Sequence, residues 1–413
     1  MISRSGPFPA LRHRNFRFFF VGQSVSVIGT WMQSTAQAWL VLTLTNSPFL
    51  LGLVSAMQFI PVTLLSLVGG ALADRLPKRR LLLTTQATLM VLAFVIALLT
   101  WTGVVRYWHV AMLALLLGVA NSLDMPTRQA FFAEMVDRQD LANAIALNSA
   151  MVNGGRVIGP AVAGLIIASQ GVALAFFLNG ISFLAVIVAL ASMQGTPVRP
   201  AVTRSLLGHI GEGLQYVRRT PPVLVTLALA GLVSAFVLNF NIFVPVLARG
   251  VLKGSAGTYG SLMALVGAGS LVGALFVASA SRYGPRQELI RAGAVGVSLA
   301  VVCLGFARSY PVAAVLAFSG GLAMVLFTSS NNSFVQMLVP DDLRGRVMSV
   351  HTTVFVGSSP VGALLTGGVM DLWGPSAGFF VAGSLGLLAV AAVSVWARRL
   401  RVIAVAGPAG TGP

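Results

Sequence analysis

Asp124 and Arg156 are charged residues that lie inside long apolar stretches of this sequence, where charge is costly. An arginine at the centre of a membrane span costs roughly 2.5 to 3.5 kcal/mol on insertion scales, so Arg156 should have a partner. Asp124 is the nearest acid along the predicted topology, and Asn121 lies one turn before it. The sequence therefore predicts an Asp124–Arg156 ion pair at the edge of a polar cavity. The alternative is that Arg156 snorkels to the inner membrane surface.

A second group of candidates consists of uncharged polar residues in the same kind of apolar surroundings. Thr30, Gln33 and Gln37 recur at i, i+3 and i+7, which places them on one helix face. The further members are Gln58, Asn121, Asn239 and Asn241. We expect them to line a cavity for a large, mostly neutral or amphipathic solute. Hydrogen bonding between helices is the alternative explanation.

The elements that must position these residues are membrane-spanning helices. The 413 residues are 56% hydrophobic and 9% charged, with a mean hydropathy of +0.88. A span needs about 20 mostly apolar residues, and twelve such runs fit. The predicted spans are 18–43, 49–73, 81–102, 108–127, 143–168, 172–193, 222–248, 257–281, 288–307, 311–332, 346–372 and 375–397.

The basic residues are distributed unevenly between the loops. Of the 27 Lys and Arg residues, 22 fall on one side of the predicted topology, four fall in outer loops, and Arg156 lies within a span. This is the positive-inside pattern, and it places both termini in the cytoplasm. The net charge of +17 therefore follows from topology, and we expect no nucleic-acid partner. We expect no removable signal peptide either, because no short apolar core with a cleavage site precedes the first span.

The chain divides near its middle. Residues 1–193 and 222–400 form two halves of six spans, 194–221 is a polar linker, and 401–413 is a tail predicted to be disordered. A weak repeat crosses this division: Gly118 and Gly321 open spans four and ten, and Phe131 matches Phe334. In the linker, apolar residues recur at helical spacing and predict an amphipathic helix on the inner membrane surface. They are Leu207, Ile210, Leu214 and Val217.

The loop after span two reads GGALADRLPKRRLLL. It resembles the G-x-x-x-D-R-x-G-R-R signature of the major facilitator superfamily, although Pro77 stands where that family usually has glycine. The resemblance implies a latch at one end of the bundle, in which Gly70 allows close helix approach. The charged members of the latch would be Asp74, Arg75, Lys78 and Arg79. An ordinary basic loop on the inner side is the alternative.

Span five contains GGRVIGPAVAGLI, a run of small residues interrupted by proline. It resembles the G-x-x-x-G-P-x-x-G-G motif of proton-coupled exporters, with Ala163 in place of one glycine. The resemblance implies that this helix takes part in gating and that transport runs outward. The gating residues would be Gly155, Gly159, Pro160 and Gly164. A general packing face of small residues would give a similar pattern.

The stretches EGLQYVRRTP and DMPTRQA extend the resemblance to the transmembrane secretion effector branch, which includes the enterobactin exporter and macrolide efflux proteins. The resemblance implies the all-α major facilitator fold, with twelve transmembrane helices in two pseudo-symmetric halves. It also implies proton-coupled export, by alternating access, of a siderophore-like or amphipathic drug-like molecule. Asp124 and Arg156 would then serve in coupling.

We accordingly expect a monomeric antiporter of the cell inner membrane, not an enzyme, which binds a small molecule, protons and lipid and needs no cofactor. No P-loop for ATP hydrolysis occurs in the sequence. Two other functions stay open: an importer or facilitator of a metabolite, and a membrane sensor or assembly factor that transports nothing.

Overall fold

The computed structural model describes residues 8–137, 139–193, 206–280 and 287–405, and within these ranges it contains helices and no strand. Some side chains inside these ranges lie outside the description. They are those at 66–68, 71, 73–75, 133, 142, 206–210, 280, 341–342 and 400–405.

Six long helices come first along the chain. They are α1 (Arg14–Thr45), α2 (Pro48–Arg75), α3 (Lys78–Trp101), α4 (Tyr107–Glu134), α5 (Leu141–Gln170) and α6 (Val172–Ala191). A short helix, α7 (Leu206–Arg219), follows. The remaining helices are α8 (Pro221–Phe236), α9 (Phe240–Val246) with a π-helical extension over Leu247–Val251, α10 (Ala256–Ala280), α11 (Gln287–Leu304), α12 (Tyr310–Leu338), α13 (Asp341–Trp373) and α14 (Pro375–Val405). The last helix thus continues five residues into the predicted tail, and residues 406–413 lie outside the described ranges.

Eleven helical segments in the described part of the chain are long and apolar enough to cross a membrane. The segment Pro221–Val251, which joins α8 and α9, is one of them. The predicted first span, α1, is not among these eleven segments, although it is 32 residues long. Its hydropathy is low because it carries many polar side chains, and these are buried against other helices: Gln23, Ser26, Gln33, Thr35 and Gln37.

The described residues cluster into two compact units. Unit 1 is Met1–Arg204 with Asn241–Ala268, and unit 2 is Ser205–Phe240 with Gly269–Pro413. In unit 1, α1 packs on α5 and α6, α3 packs on α4 and α6, and α2 packs on α4. In unit 2, α8 packs on α13 and α14, and α11 packs on α12 and α14. The helix contacts of unit 2 thus repeat those of unit 1, with α8 in the place of α1, α11 in that of α3, and α12 to α14 in those of α4 to α6.

The corner between α5 and α6 in unit 1 corresponds to the corner between α13 and α14 in unit 2. Gly171 joins α5 to α6 with φ +85°, and Gly374 joins α13 to α14 with φ +86°. Residues that have a side chain rarely adopt a positive φ. Glycine therefore allows the chain to reverse its direction abruptly at both corners. The two long antiparallel helix pairs are therefore built with the same turn chemistry.

The predicted amphipathic helix is present as α7, and its C-terminal half packs on unit 2. Val217 is buried in a cluster that includes Val223 and Val347. Glu212 forms an ion pair with Arg346 at the start of α13. Part of the apolar face is thus covered by protein, and the side chains of Leu207 and Ile210 lie outside the described ones.

Candidate functional site

The predicted latch lies partly outside the described side chains. Asp74 and Arg75 belong to the last turn of α2, but the structure describes only their backbone. Lys78, at the start of α3, forms an ion pair with Glu134 at the end of α4, with 2.9 Å between Nζ and Oε1. This ion pair thus links the start of α3 to the end of α4. The latch role of the loop stays a prediction.

Arg79 caps a neighbouring helix. Its Nε donates to the carbonyl oxygen of Leu190 at 2.7 Å, and Nη2 donates to that of Ala191 at 2.8 Å. These are the last carbonyls of α6, which have no partner within the helix. The positive guanidinium also suits the negative end of the helix dipole.

The expected close approach at Gly70 is wrong by one residue. A Cβ atom on Gly70 would meet nothing within 4 Å, whereas one on Gly69 would collide with the backbone carbonyl of Ser122 in α4. Gly69 is therefore the residue that lets α2 and α4 touch, because it faces α4 and Gly70 faces away. Because Gly69 and Gly70 are adjacent, the sequence alone does not show which of them faces α4.

The glycines of α5 do provide smooth contact faces. A Cβ atom on Gly155 would lie 3.3 Å from Trp31 Cδ1, and one on Gly159 would lie 2.6 Å from Trp31 Cβ and 2.8 Å from the carbonyl oxygen of Ile28. The indole of Trp31, on α1, can lie against α5 because both positions lack a side chain. Pro160 lies inside the helix next to this face.

Gly164 lies on a different face of α5. A Cβ atom there would be 2.7 Å from the Cα atom of Gly260 in α10, so two glycines allow these backbones to meet. Close contact through small residues is the usual way in which membrane helices pack. The contacts fit the packing interpretation of the motif, and its gating role remains a prediction.

Asp124 lies in a buried hydrogen-bond network on α4, and its side chain is 1% exposed. Its Oδ1 accepts hydrogen bonds from Thr85 Oγ1 and Gln86 Nε2, both at 2.8 Å. Its Oδ2 lies 3.2 Å from Nη2 of Arg128, four residues later on the same helix. The carboxylate is thus held by α3 and by its own helix.

The predicted ion pair between Asp124 and Arg156 is therefore wrong. Asp124 pairs with Arg128 because side chains four residues apart lie side by side on a helix. The guanidinium of Arg156 instead lies over the Trp31 ring, with 5.0 Å from Cζ to the ring centroid. Its Nε is buried and has no hydrogen-bond partner among the described residues.

Two of the predicted cavity residues meet each other. Gln37 Nε2 donates to Gln58 Oε1 at 3.3 Å, which joins α1 to α2. Thr30 is exposed, and its hydroxyl donates to the carbonyl oxygen of Ser26. Asn121 and Asn241 are partly buried. The cavity role of these residues stays a prediction.

The other two amides that were expected in the cavity hold helices together. Gln33 is buried, and its Oε1 accepts from Asn179 Nδ2 of α6 at 2.5 Å. Asn239, in unit 2, donates to the carbonyl oxygen of Ala235 and accepts from Ser359 at 3.2 Å. It lies in the short break between α8 and α9, where it satisfies a carbonyl near the end of α8.

Sequence reasoning missed a second buried network, which lies in unit 2. His351 Nε2 and Asn331 Oδ1 are 2.8 Å apart, and Asn331 Nδ2 donates to the carbonyl oxygen of Thr226 at 3.1 Å. The network joins α13, α12 and α8. It has no motif, because the residues are far apart in the sequence. Arg128, by contrast, could have been found from its spacing of four residues after Asp124.

A bundle of apolar helices in two similarly paired units, with few charged residues inside the spans, defines a polytopic membrane transporter of the major facilitator fold. The solved structure of the nucleoside transporter NupG, in a D323A mutant, has this fold: it superposes with a TM-score of 0.77, at 12% identity, over 94% of this chain and 99% of its own.

The chain belongs to the transmembrane secretion effector family, whose sequence profile matches residues 5–406. Two relatives extend over nearly the whole chain. The multidrug efflux pump Tap of Mycolicibacterium fortuitum is 28% identical over 389 residues, which cover 90% of this chain and 93% of Tap. The enterobactin exporter EntS of Shigella boydii is 25% identical over 379 residues, which cover 92% of this chain and 90% of EntS.

Proposed function

We propose that this chain is a secondary active transporter that exports a siderophore-like or amphipathic drug-like molecule by alternating access. The family profile and the names of the two relatives, an efflux pump and a siderophore exporter, support export rather than uptake. The small-residue faces of α5 on Trp31 and Gly260 suit helices that slide against their neighbours during such a cycle.

The observation that carries proton coupling is the buried carboxylate of Asp124. It lies within the span Tyr107–Phe132, almost fully enclosed, and Arg128 neutralises it. A proton bound at Oδ2 would replace the ion pair and release Arg128, which is 28% exposed. Protonation and ion pairing are thus two alternative arrangements of one network, which is what a coupling element needs.

The distribution of basic residues supports the cell inner membrane, with both termini cytoplasmic. One chain supplies all the helices of this fold, so we propose that it works as a monomer.

Everted membrane vesicles that contain the chain test this function. Two probes are offered separately, the anionic dye 5-carboxyfluorescein and the cationic dye rhodamine 6G, and dye retained on a filter is measured. We expect at least one dye to accumulate only in energised vesicles and an uncoupler to abolish its accumulation. Accumulation that survives the uncoupler would refute proton coupling, and no accumulation of either dye would refute export.

The Asp124→Asn variant tests the named residue. It should still equilibrate the dye but should not concentrate it when a pH gradient is imposed. Glu134→Gln is the matched control, because Glu134 is a paired carboxylate at the end of the same helix. Gradient-driven accumulation by Asp124→Asn at the wild-type level, over a range of pH, would show that Asp124 does not couple transport.

A further inference from the structure

Arg156 is a cation within a membrane span, and no acid whose side chain the structure describes forms an ion pair with it. The segment Asn143–Gln170 is apolar enough to cross a membrane, and Arg156 lies near its middle. No hydrogen bond or ion pair engages its guanidinium in the described part of the chain, and Nε is enclosed without a partner. Retaining such a group in an apolar bundle is costly, so it indicates a function.

The acids of unit 1 do not supply the missing charge. Those with described side chains are Asp124, Glu134, Asp137 and Asp140. Asp124, Glu134 and Asp140 each contact another basic residue, and Asp137 is exposed in the loop after α4. The side chain of Asp74 lies outside the described ones, and its place is at the end of α2.

The surroundings of Arg156 are built to hold it in place. Gly155 and Gly159, one before and the other three residues after Arg156, have no side chain, and this allows Trp31 to lie against α5. The indole then supports the guanidinium from one face, with 5.0 Å from Cζ to the ring centroid. A cation held over an aromatic face keeps its N–H groups free, since they point outward in the plane of the fork.

The free edge of the guanidinium can be reached. Arg156 as a whole is partly buried, and Nε is the one of its three guanidinium nitrogens that is enclosed without a partner. Arg156 thus retains some exposed surface, and neither terminal nitrogen has a hydrogen-bond partner among the described residues, so a ligand can meet these two nitrogens. Two parallel N–H groups on a planar fork match the two oxygens of a carboxylate, and such paired contacts are strong in surroundings poor in water.

We propose that Arg156, supported by Trp31, binds a carboxylate group of the exported molecule. The inference rests on the proposed transport function and names the chemical class of its substrate, an organic anion with a flat apolar body. The partly exposed Trp31 offers the apolar contact, and the guanidinium offers the charge. Neutralisation by the substrate would remove the isolated positive charge from the bundle.

The test measures binding to the purified full-length chain in detergent by fluorescence anisotropy, without any transport. The probes are 5-carboxyfluorescein and rhodamine 6G, which have related ring systems but opposite charge. Arg156→Gln should bind carboxyfluorescein about tenfold to 100-fold more weakly than the wild type, as expected when a charged hydrogen-bond partner is lost. Rhodamine 6G binding should not weaken. Arg156→Lys keeps the charge but not the planar fork, so its affinity for carboxyfluorescein should lie between those of the wild type and Arg156→Gln.

Arg249→Gln is the matched control. Arg249 is also stacked on a tryptophan in unit 1, 5.7 Å from the Trp39 ring centroid, but Asn46 and Thr43 engage its guanidinium. This variant should bind carboxyfluorescein as the wild type does. Equal weakening by both glutamine variants would mean a general charge effect and would overturn the proposal.

Two further outcomes separate the possible failures. If Arg156→Gln does not give a monodisperse protein, the wild type is tested with naphthoate and neutral naphthamide as competitors of carboxyfluorescein, and naphthoate should compete at least about tenfold better. Equal competition, or unchanged dye binding by Arg156→Gln, would refute the carboxylate site. Loss of dye binding in this variant, combined with no energised uptake by the wild type, would instead refute transport and leave the site in place.

Discussion

The pair formed by Asp124 and Arg128 should respond unequally to removal of its two partners. The carboxylate is 1% exposed and the guanidinium is 28% exposed. Arg128→Gln leaves an enclosed anion without its cation, whereas Asp124→Asn leaves a cation that can turn toward water. We therefore expect the arginine substitution to destabilise the protein more than the aspartate substitution does.

The magnitudes follow from the contacts. Removing one partner of a buried ion pair costs about 3 to 5 kcal/mol, and the remaining hydrogen bonds from Thr85 and Gln86 to Oδ1 reduce this to about 2 to 3 kcal/mol for Arg128→Gln. In Asp124→Asn, the amide oxygen still accepts both hydrogen bonds, so the expected loss is about 1 to 2 kcal/mol. The double variant should lose less than the sum, by about 1 kcal/mol or more.

The free energy of unfolding can be measured in mixed micelles with increasing sodium dodecyl sulfate, followed by intrinsic tryptophan fluorescence. The pair Lys78 and Glu134 is the control, because its side chains are 14% and 17% exposed. Lys78→Gln and Glu134→Gln should therefore cost nearly the same. An Asp124→Asn loss as large as that of Arg128→Gln, or additive losses in the double variant, would refute this account of the network.

Three further perturbations test single contacts. Gly159→Val should weaken or abolish transport of whichever dye the wild type accumulates in vesicles, because its side chain would displace Trp31; an active variant would show that the helix contact can yield. Arg79→Ala should speed amide hydrogen exchange in the last turn of α6, whose carbonyls it caps, and unchanged exchange would contradict the cap. His351→Phe should cost about 1 to 3 kcal/mol in the unfolding assay, because Asn331 Oδ1 is then buried without a donor; adding Asn331→Leu should recover part of that loss, and no recovery would contradict the pairing.

Helix positions were readable from the sequence because most spans are runs of apolar residues whose ends are marked by polar or turn-forming residues. The span predicted at 49–73 is the helix Pro48–Arg75, and that predicted at 172–193 is Val172–Ala191. The prediction failed to find the break in span seven, where 222–248 is divided between α8 and α9. No proline marks residues 237–239, and the break depends on Asn239 and its contact with Ser359, which lies in another helix.

The amides were harder to interpret, since a polar residue in an apolar helix has the same signature whether it lines a cavity or joins two helices. Gln33 and Gln37 lie one turn apart on α1, yet Gln33 contacts Asn179 of α6 and Gln37 contacts Gln58 of α2. Their partners are fixed by which helices α1 packs on, and this depends on the whole fold. Helix periodicity alone shows which side chains share a face of α1, but it does not show which helix packs against that face.

The error over Arg156 has a different cause. The reasoning that an arginine in a span needs an acid was sound as energetics, but it assumed that the acid must come from elsewhere in the same chain. Asp124 is already engaged by Arg128, Thr85 and Gln86, so pairing it with Arg156 would require breaking these contacts. Local pairing four residues apart needs no tertiary contact and therefore wins. What remains is a guanidinium that is supported on one face by Trp31 and free at its edge, and in a transporter the charge that completes such a group can arrive with the substrate.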